Sequence, residues 1–426
     1  MSETISITLP TPPATITVRV DFYNDSHRDL LLNSAAGSIL KMAEFPKTIS
    51  IPTVDLLTYF LFYKKRPGTP GYTSFQAVKV KYAYALTELD GLVQFSGGSI
   101  GAVPTAQQNT GTTERLGEAL GLVVISQIHK LIDADWVKID VANTKRKWLD
   151  YNYAASDGGI LIKTEAKGSF CTDNRNKEPS VSQHKSSIDA KKKDERSLTP
   201  SNAILYGTIG ALDSRTDGLA QCWLLDPPLA VEAQPREFRI LARLTSIADL
   251  VSFVNPRAQV SSALKSRLAA LRALRSIAEL DSVPLQTGRG NKFSTETYSS
   301  NGRHNPFFAR KSQVADGPAG GQVIQVDEKR IFFIGMREEL LKLAIEQSFD
   351  AIESYRFEPG TVYKKVHCIV PEGRFQSNFS FAREVPVEIK KSGAYVHFDL
   401  EGYLHYSTGG IVFGVLPIPF GAKSKP

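Results

Sequence analysis

A hairpin pattern between residues 148 and 170 constrains the fold more than any other stretch of the chain. Strand-forming residues come before a turn signal at 156–159, and an apolar run typical of a second strand comes after it. Because side chains alternate between the two faces of a strand, Lys163, Glu165 and Lys167 are expected on one face. The pattern therefore predicts two antiparallel strands, the second with charged side chains gathered on a single face.

The first strand carries an acid that this hairpin brings close to Glu165. If the turn is centred on Asp157 and the glycine after it, Asp150 lies across from Glu165. Asp157 is the alternative first acid, although its place beside two glycines is more typical of a turn. Two carboxylates this close repel each other unless one is protonated or a divalent cation binds both, and Mg²⁺ is the natural cation for oxygen ligands. The lysine at 167 would then orient or deprotonate a metal-bound water.

These residues resemble the PD-(D/E)XK superfamily of restriction-endonuclease-like nucleases. Asp150 matches the family's first aspartate and Glu165-Ala166-Lys167 matches its acid-X-lysine triplet, while Leu149 stands where the family's name has proline. The resemblance implies that Asp150, Glu165 and the backbone carbonyl of Ala166 bind Mg²⁺, for which Mn²⁺ can substitute. It covers roughly residues 110 to 228, about a quarter of the chain.

A helix ahead of the hairpin offers the further acid that the family uses. Apolar residues recur at helical spacing between residues 114 and 129, after a threonine that can cap the helix. Glu114 and Glu118 lie four residues apart and therefore on one face. The resemblance implies that one of them reaches the metal. Glu118 is preferred because it lies deeper in the apolar part, whereas Glu114 equally suits a first-turn acid that interacts with the helix dipole.

The predicted order of elements is the αβββαβ core that the resemblance implies. After the helix we expect strands at 135–141, 148–153 and 160–168, a helix near 186–196, and strands at 204–212 and 221–225. The fold class is α/β in this core and α+β overall. The predicted domains are an N-terminal accessory mixed or β domain (1–105), the nuclease-like domain (106–235), a helical segment (236–286), a basic loop or linker (287–321) and a C-terminal α+β domain (322–426).

Charge points to a polyanionic partner. The formal net charge of +7 favours nucleic acid through steering and counterion release. The cations expected to contact nucleic acid are Lys163, Arg175, Lys177, Lys185, Arg289 and Arg303. Solvated surface is the alternative interpretation for these side chains, and His184 is either a relay near the site or a surface histidine.

Other signals limit the compartment and the cofactors. The three cysteines, at 171, 222 and 368, are too far apart for a disulfide framework or a zinc site, which suits a reducing cytoplasm. The sequence has no signal-peptide pattern, no apolar run of the roughly 20 residues that span a membrane, and no glycine-rich nucleotide loop. We therefore expect a soluble, cytoplasmic protein without a membrane partner.

The sequence predicts a Mg²⁺-dependent DNA endonuclease that serves restriction, antiviral defence or a mobile element. DNA is preferred because the resembling family mostly cuts DNA, and RNA is not excluded. A double-strand break usually takes two such sites, so a homodimer or a partner subunit is compatible with the prediction. The alternative is a non-catalytic nucleic-acid-binding or assembly subunit that retains a nuclease-like fold.

Overall fold

In the computed structural model the chain forms two compact units, which we call the sheet unit and the ring unit. The sheet unit comprises Pro12–Lys64 and Glu88–Ala242, and the ring unit comprises Met1–Thr11, Lys65–Thr87 and Arg243–Pro426. The residues that the structure describes are 13–24, 48–62, 75–96, 98–102, 110–137, 149, 151–155, 161–196, 203–213, 219–225, 235–254, 259–274, 284–285, 307–309, 319–372, 390–393 and 395–418. Helices and sheets both occur in these ranges, so the chain is a mixed α/β protein, α+β overall.

The sheet unit is built on one six-stranded sheet. The described strands of the unit, six in this sheet and two outside it, are β1 (Thr15–Phe22), β2 (Thr48–Pro52), β3 (Val93–Ser96), β4 (Ser99–Ala102), β5 (Tyr151–Ala155), β6 (Leu161–Phe170), β7 (Ala203–Leu212) and β8 (Ala220–Leu225). The sheet has the order β2-β1-β8-β7-β6-β5, and β3 pairs with β4 separately. Pairing is parallel between β1 and β8 and between β6 and β7, and antiparallel in the other pairs.

The described ranges contain eight α-helices, and two of them enclose the centre of the sheet. They are α1 (Thr53–Phe62), α2 (Phe75–Leu92), α3 (Thr110–Ile128), α4 (Pro179–Arg196), α5 (Pro235–Val254), α6 (Gln259–Ala273), α7 (Glu338–Glu346) and α8 (Phe349–Ser354). α3 packs on the face of β6 and β7 that carries Gly168 and Thr208, and α4 packs on the opposite face. None of the helices in these ranges is long and apolar enough to cross a membrane.

Glycines let α3 lie directly on the backbone of the sheet. A Cβ atom added to Gly117 would lie 2.0 Å from the Cα of Gly168, and one added to Gly210 would lie 2.8 Å from the Cα of Gly117. On the strand side, a Cβ atom at Gly168 would lie 2.0 Å from the carbonyl oxygen of Thr113. Side chains cannot occupy these separations, so the helix and the two strands meet main chain to main chain.

The ring unit contains a sheet that closes on itself. Its strands are β9 (Phe307–Ala309), β10 (Ala319–Gln325), β11 (Arg330–Arg337), β12 (Gly360–Pro371), β13 (Lys390–Ser392), β14 (Tyr395–Tyr406) and β15 (Ile411–Pro417). Their order is β12-β9-β10-β11-β15-β14-β13, and pairing of β12 with β14 closes a ring of six strands. Alternate residues such as Val366, Cys368 and Phe398 fill the apolar interior, which leaves the residues between them on the outer face.

Several predicted elements differ from the observed ones. Within the predicted mixed or β domain, the stretch 78–92 has valines and tyrosines that alternate as in a strand, yet it is helical in α2, because its buried residues Tyr82, Leu86 and Leu89 recur at helical spacing. The predicted strand at 135–141 starts in a 3-10 helix, Asp133–Asp135, and its part from 138 on lies outside the described residues. The described order is therefore helix, two strands, helix, two strands, which matches the αβββαβ core only in part.

The N-terminal strands differ from the predicted accessory domain. β1 pairs in parallel with β8, through residues such as Val20 and Cys222, and β2 extends the same sheet. The region expected as a separate domain at 1–105 therefore contributes two strands to the sheet that carries β6. The sequence pattern does not reveal this, because the pairing joins residues about two hundred positions apart in the chain.

Candidate functional site

Both edges and both faces of β6 are covered, which places its middle deep in the sheet unit. β6 pairs with β5 and β7 at its edges, and α3 and α4 lie on its faces. Glu165, at the middle of the strand, is 0% exposed. A buried carboxylate without partners would be strongly unfavourable, because it loses its hydration. The partners of Glu165 therefore define the chemistry of this face.

α4 contacts this face of β6 along a line of four contacts, which we call the polar ladder. The contacts pair Ser180 with Ser169, His184 with the backbone of Gly168, Lys191 with Glu165, and Glu195 with Lys163. Residue numbers rise along the helix as they fall along the strand, so α4 and β6 run in opposite directions. The charged and polar side chains that β6 places on this buried face thus find partners on the helix.

Two ammonium groups converge on one oxygen of Glu165. The Nζ atom of Lys167 lies 2.6 Å from Oε1, and the Nζ atom of Lys191 is within hydrogen-bonding distance of the same oxygen. The side chains of Lys167 and Lys191 are 20% and 18% exposed, whereas that of Glu165 is not exposed at all. The two lysines therefore link a buried carboxylate to the solvent-accessible surface.

His184 lies beside this cluster. Burial, and next the positive charge of Lys167, lower the pKa of the His184 imidazole below its usual value, while the backbone of Gly168 and the charge of Glu114 act in the opposite direction. The imidazole is therefore neutral at neutral pH, and a neutral imidazole can accept a proton. The structure places His184 next to the predicted catalytic lysine rather than on an unrelated surface.

The structure brings together Glu165 and Lys167, but the predicted partner Asp150 lies outside the described residues. The neighbouring pair in the hairpin is described, and it joins Tyr151 to Thr164. This pair has the register on which the prediction for Asp150 and Glu165 depends, whereas the pairs nearer the turn, Ala154 with Ile162 and Ala155 with Leu161, are shifted by one residue. The alternative acid, Asp157, also lies outside the described residues. Ala166, which lies between Glu165 and Lys167 in the sequence, points its side chain towards α3 on the other face of β6.

The two candidate helical acids, Glu114 and Glu118, lie in different surroundings on α3. Glu118 is 2% exposed on α3, the helix that packs on the face of β6 opposite to Glu165 and Lys167. Glu114 is exposed near the start of the same helix, and its charge acts on His184 together with that of Lys167. Glu114 is therefore close enough to His184 for its charge to affect the pKa of that imidazole. Sequence reasoning preferred Glu118 because it gave weight to depth in the apolar run.

The cations expected to bind nucleic acid differ in how they are held. Lys163 is buried in an ion pair with Glu195, so its charge is not presented to a ligand. Arg175 is exposed and is bound by Asp173, and Lys185 pairs with Asp189 at 2.7 Å. Lys177 is exposed and lies over the rings of Tyr23 and Trp223, 5.0 and 5.4 Å from their centroids. Arg289 and Arg303 lie outside the described residues.

The contact of Lys191 with Glu165 and the position of His184 beside Lys167 were not predicted from the sequence. A signal for both existed, because His184, Ile188, Lys191 and Glu195 follow one another at intervals of four, three and four residues. That spacing puts the four side chains on one face of a helix. Ile188 is fully buried, so this face packs on the sheet and brings its polar members with it.

The described part of the site does not supply a complete set of metal ligands. Within the described ranges, no group of three or more histidine, cysteine, aspartate or glutamate side chains is arranged to hold a metal ion. At the polar ladder Glu165 is the carboxylate beside Lys167 and Lys191. A Mg²⁺ site here would need at least one more oxygen ligand, which is the role predicted for Asp150.

Comparison with known proteins gives no family assignment. The chain matches no protein family, no curated protein and no solved structure. The geometry of β6 and α4 is therefore the basis of the functional proposal.

Proposed function

We propose that the chain is a metal-dependent nuclease that hydrolyses phosphodiester bonds of DNA, with its site at Glu165 and Lys167. The observation that carries the proposal is the contact between a fully buried carboxylate and two ammonium groups, those of Lys167 and Lys191. Burial of such a cluster is costly, and clusters of this kind are concentrated at functional sites. Restriction, antiviral defence and mobile elements are the settings that the resemblance favours.

The metal ligands in this proposal are Asp150 and Glu165, with the carbonyl of Ala166 and an acid of α3 as further oxygen donors. Of these proposed oxygen ligands, Glu165 is a described residue of the polar ladder. The pairing of Tyr151 with Thr164 supports Asp150 as the second carboxylate. When bound, Mg²⁺ or Mn²⁺ polarises a phosphate oxygen and lowers the pKa of a bound water.

The protein's own side chains have separate roles in this proposal. Lys167 and Lys191 keep Glu165 ionised, and their partly exposed ammonium groups stabilise negative charge that develops on the phosphate. The neutral imidazole of His184, beside Lys167, would accept the proton that the attacking water loses. Glu114 acts on the same imidazole from α3, so it tunes the protonation of His184.

A plasmid cleavage assay tests the proposal. The purified chain is incubated with supercoiled DNA and Mg²⁺ or Mn²⁺, and the nicked and linear products are measured. We expect Glu165→Gln and Lys167→Ala to lower the cleavage rate by about 100-fold or more, because each removes a group that acts on the reacting phosphate or water. Cleavage that is undiminished in both variants contradicts the assignment of the site.

Glu195→Gln is the matched control for this assay. Glu195 lies on α4, as Lys191 does, and forms a buried ion pair with Lys163 on the same face of β6. Glu195→Gln therefore breaks a buried ion pair without removing any contact of Glu165. Circular dichroism of each variant confirms that the fold is retained. If Glu195→Gln lowers cleavage as much as Glu165→Gln does, then packing of α4 and not chemistry at Glu165 explains the loss.

The second candidate function is a non-catalytic nucleic-acid-binding or assembly subunit. The observation that favours it is that Lys167 and Lys191 already neutralise Glu165, so the ladder is a self-contained ionic contact between helix and strand. In this case, no DNA or RNA substrate is cut with any divalent cation. Binding that weakens steeply as salt is raised would then indicate contact with the phosphate backbone.

A further inference from the structure

The outer face of the ring unit carries a cluster of histidine and aspartate side chains that the nuclease proposal does not use. On β12 and β14, His367 pairs with Asp399, and Ile369 pairs with His397. His367 and His397 are therefore diagonal neighbours on adjacent strands, with Asp399 beside them. Their side chains lie on the outside, because the alternate residues Val366 and Cys368 fill the interior.

The cluster is held in one arrangement by three contacts. Nδ1 of His367 lies 2.7 Å from Oδ1 of Asp399, and the other carboxylate oxygen lies 3.0 Å from Nζ of Lys365. Nε2 of His367 faces Nδ1 of His397 at 3.4 Å. When the Nδ1–H of a neutral His367 donates to Asp399, its Nε2 keeps a lone pair that points at the second histidine.

The separation of the two ring nitrogens is compatible with two explanations. A hydrogen bond between them would be about 0.4 Å longer than the usual N–H···O distance of 2.9–3.0 Å. Two nitrogen ligands at about 2.0–2.1 Å from a tetrahedral Zn²⁺ ion are themselves roughly 3.4 Å apart. The observed 3.4 Å lies at the long end of the hydrogen-bond range and equals the separation of two nitrogens that share one tetrahedral metal ion.

We propose that Nε2 of His367 and Nδ1 of His397 bind a transition-metal ion, with Zn²⁺ as the fitting ion. Asp399 orients His367 from behind, in the carboxylate–histidine–metal arrangement that is common in zinc sites. Within the described ranges no third histidine, cysteine or acid completes the set, so water or an exchangeable anion fills the other positions. Imidazole ligands select Zn²⁺, Ni²⁺ or Cu²⁺ over Mg²⁺, which distinguishes this site from the one proposed at Glu165.

The protonation of the cluster agrees with metal binding. Burial, and next the charge that His367 carries when it is protonated, lower the pKa of His397, and a neutral ring is the form that binds a metal ion. Burial acts to raise the pKa of Asp399, but hydrogen bonds from His367 and Lys365 outweigh it and lower the pKa. Asp399 is therefore ionised when it accepts the hydrogen bond from His367.

Zn²⁺ titration of the full chain, after treatment with a chelator, tests the proposal. Isothermal calorimetry is expected to show one saturable site per chain that His367→Ala and His397→Ala each abolish. Asp399→Asn is expected to weaken binding by about 10-fold to 100-fold, because the ring of His367 loses its orienting carboxylate. Glu401→Gln is the matched control, since Glu401 lies on the same strand and face but bonds Tyr363 instead, and it is expected to leave Zn²⁺ affinity unchanged.

Two results would overturn the site. One is the absence of saturable Zn²⁺ binding, and the other is binding that survives both histidine substitutions. NMR of histidine-labelled wild-type chain gives a second measurement that needs no variant, since Zn²⁺ should shift the ring signals of His367 and His397 first. The outcome is independent of the nuclease proposal, because no residue of the polar ladder takes part.

Discussion

Glu165 and Asp399 are both strand carboxylates that two cationic or hydrogen-bonding side chains hold, yet their surroundings differ. Glu165 has no exposed surface and is bound by Lys167 and Lys191, whereas the side chain of Asp399 is 30% exposed and is bound by His367 and Lys365. The buried carboxylate must stay paired, because water cannot replace its partners. The exposed one is screened by water, so its contacts with His367 and Lys365 add little to stability even though they orient the ring of His367.

The comparison is tested most strongly by Glu165→Gln. Removing one member of a buried ion pair leaves the charges of Lys167 and Lys191 without their counter-ion, so we expect the free energy of unfolding to fall by about 3–5 kcal/mol. Urea denaturation followed by circular dichroism measures the loss. A change below about 1 kcal/mol would mean that Glu165 behaves like a surface carboxylate and that the contrast with Asp399 is absent.

A buried histidine in the ring unit extends the comparison to pH. Burial lowers the pKa of His405 from 6.5 to about 4. The unfolded chain therefore takes up a proton at higher pH than the folded chain, so the free energy of unfolding decreases as pH falls from about 6.5 to about 4. The total loss is about 3 kcal/mol, at 1.36 kcal/mol per pKa unit. Denaturation curves across this range measure the slope, and His405→Phe should remove it; an unchanged slope would assign it to other groups.

Asp399→Asn is the exposed counterpart of the first substitution. Its contacts with His367 and Lys365 are well formed at 2.7 and 3.0 Å, but solvent screens them, so we expect a loss of less than about 1 kcal/mol in the free energy of unfolding. The same denaturation experiment gives the number. A loss as large as that of Glu165→Gln would show that exposure does not separate the two carboxylates.

The smallest effect is expected at Lys185 and Asp189, an exposed pair one helical turn apart on α4. A hydrogen bond from Lys185 to Asp189, at 2.7 Å, raises the pKa of the lysine against a small opposing effect of burial. Asp189→Asn should lower the free energy of unfolding by about 0.3–0.5 kcal/mol, and less in high salt. A salt-independent loss would point to packing instead of charge.

Local spacing predicted much of the sheet and part of the site. The alternation in β6 and the apolar runs of β7 and β8 are all read within about ten residues, and Glu165 and Lys167 share a face for the same reason. The strand-like alternation of valines and tyrosines near position 80 misled for that reason too, since the buried residues of α2 follow a helical period. Short windows cannot separate the two periods where both are present.

The rest depends on contacts between distant residues. Lys191 reaches Glu165 across 26 positions because α4 returns along β6, and His367 meets His397 because β12 and β14 pair in a fixed register. The helical spacing of His184, Ile188, Lys191 and Glu195 shows that they share a face, but it does not show which strand residue each of them contacts. Glu118 was preferred over Glu114 for a related reason, since only the packing of α3 on the sheet shows which end of the helix lies near His184.

The bare main-chain contact between α3 and β6 has a consequence for tuning the proposed site. No side chain lies between Gly117 and Gly168, so the distance from the start of α3 to Lys167 is set by the thickness of two backbones. A single methyl group at position 117 would act as a spacer that moves Glu114 away from His184 without altering any charge. The electrostatics of the polar ladder are thus adjustable from a position that has no side chain of its own.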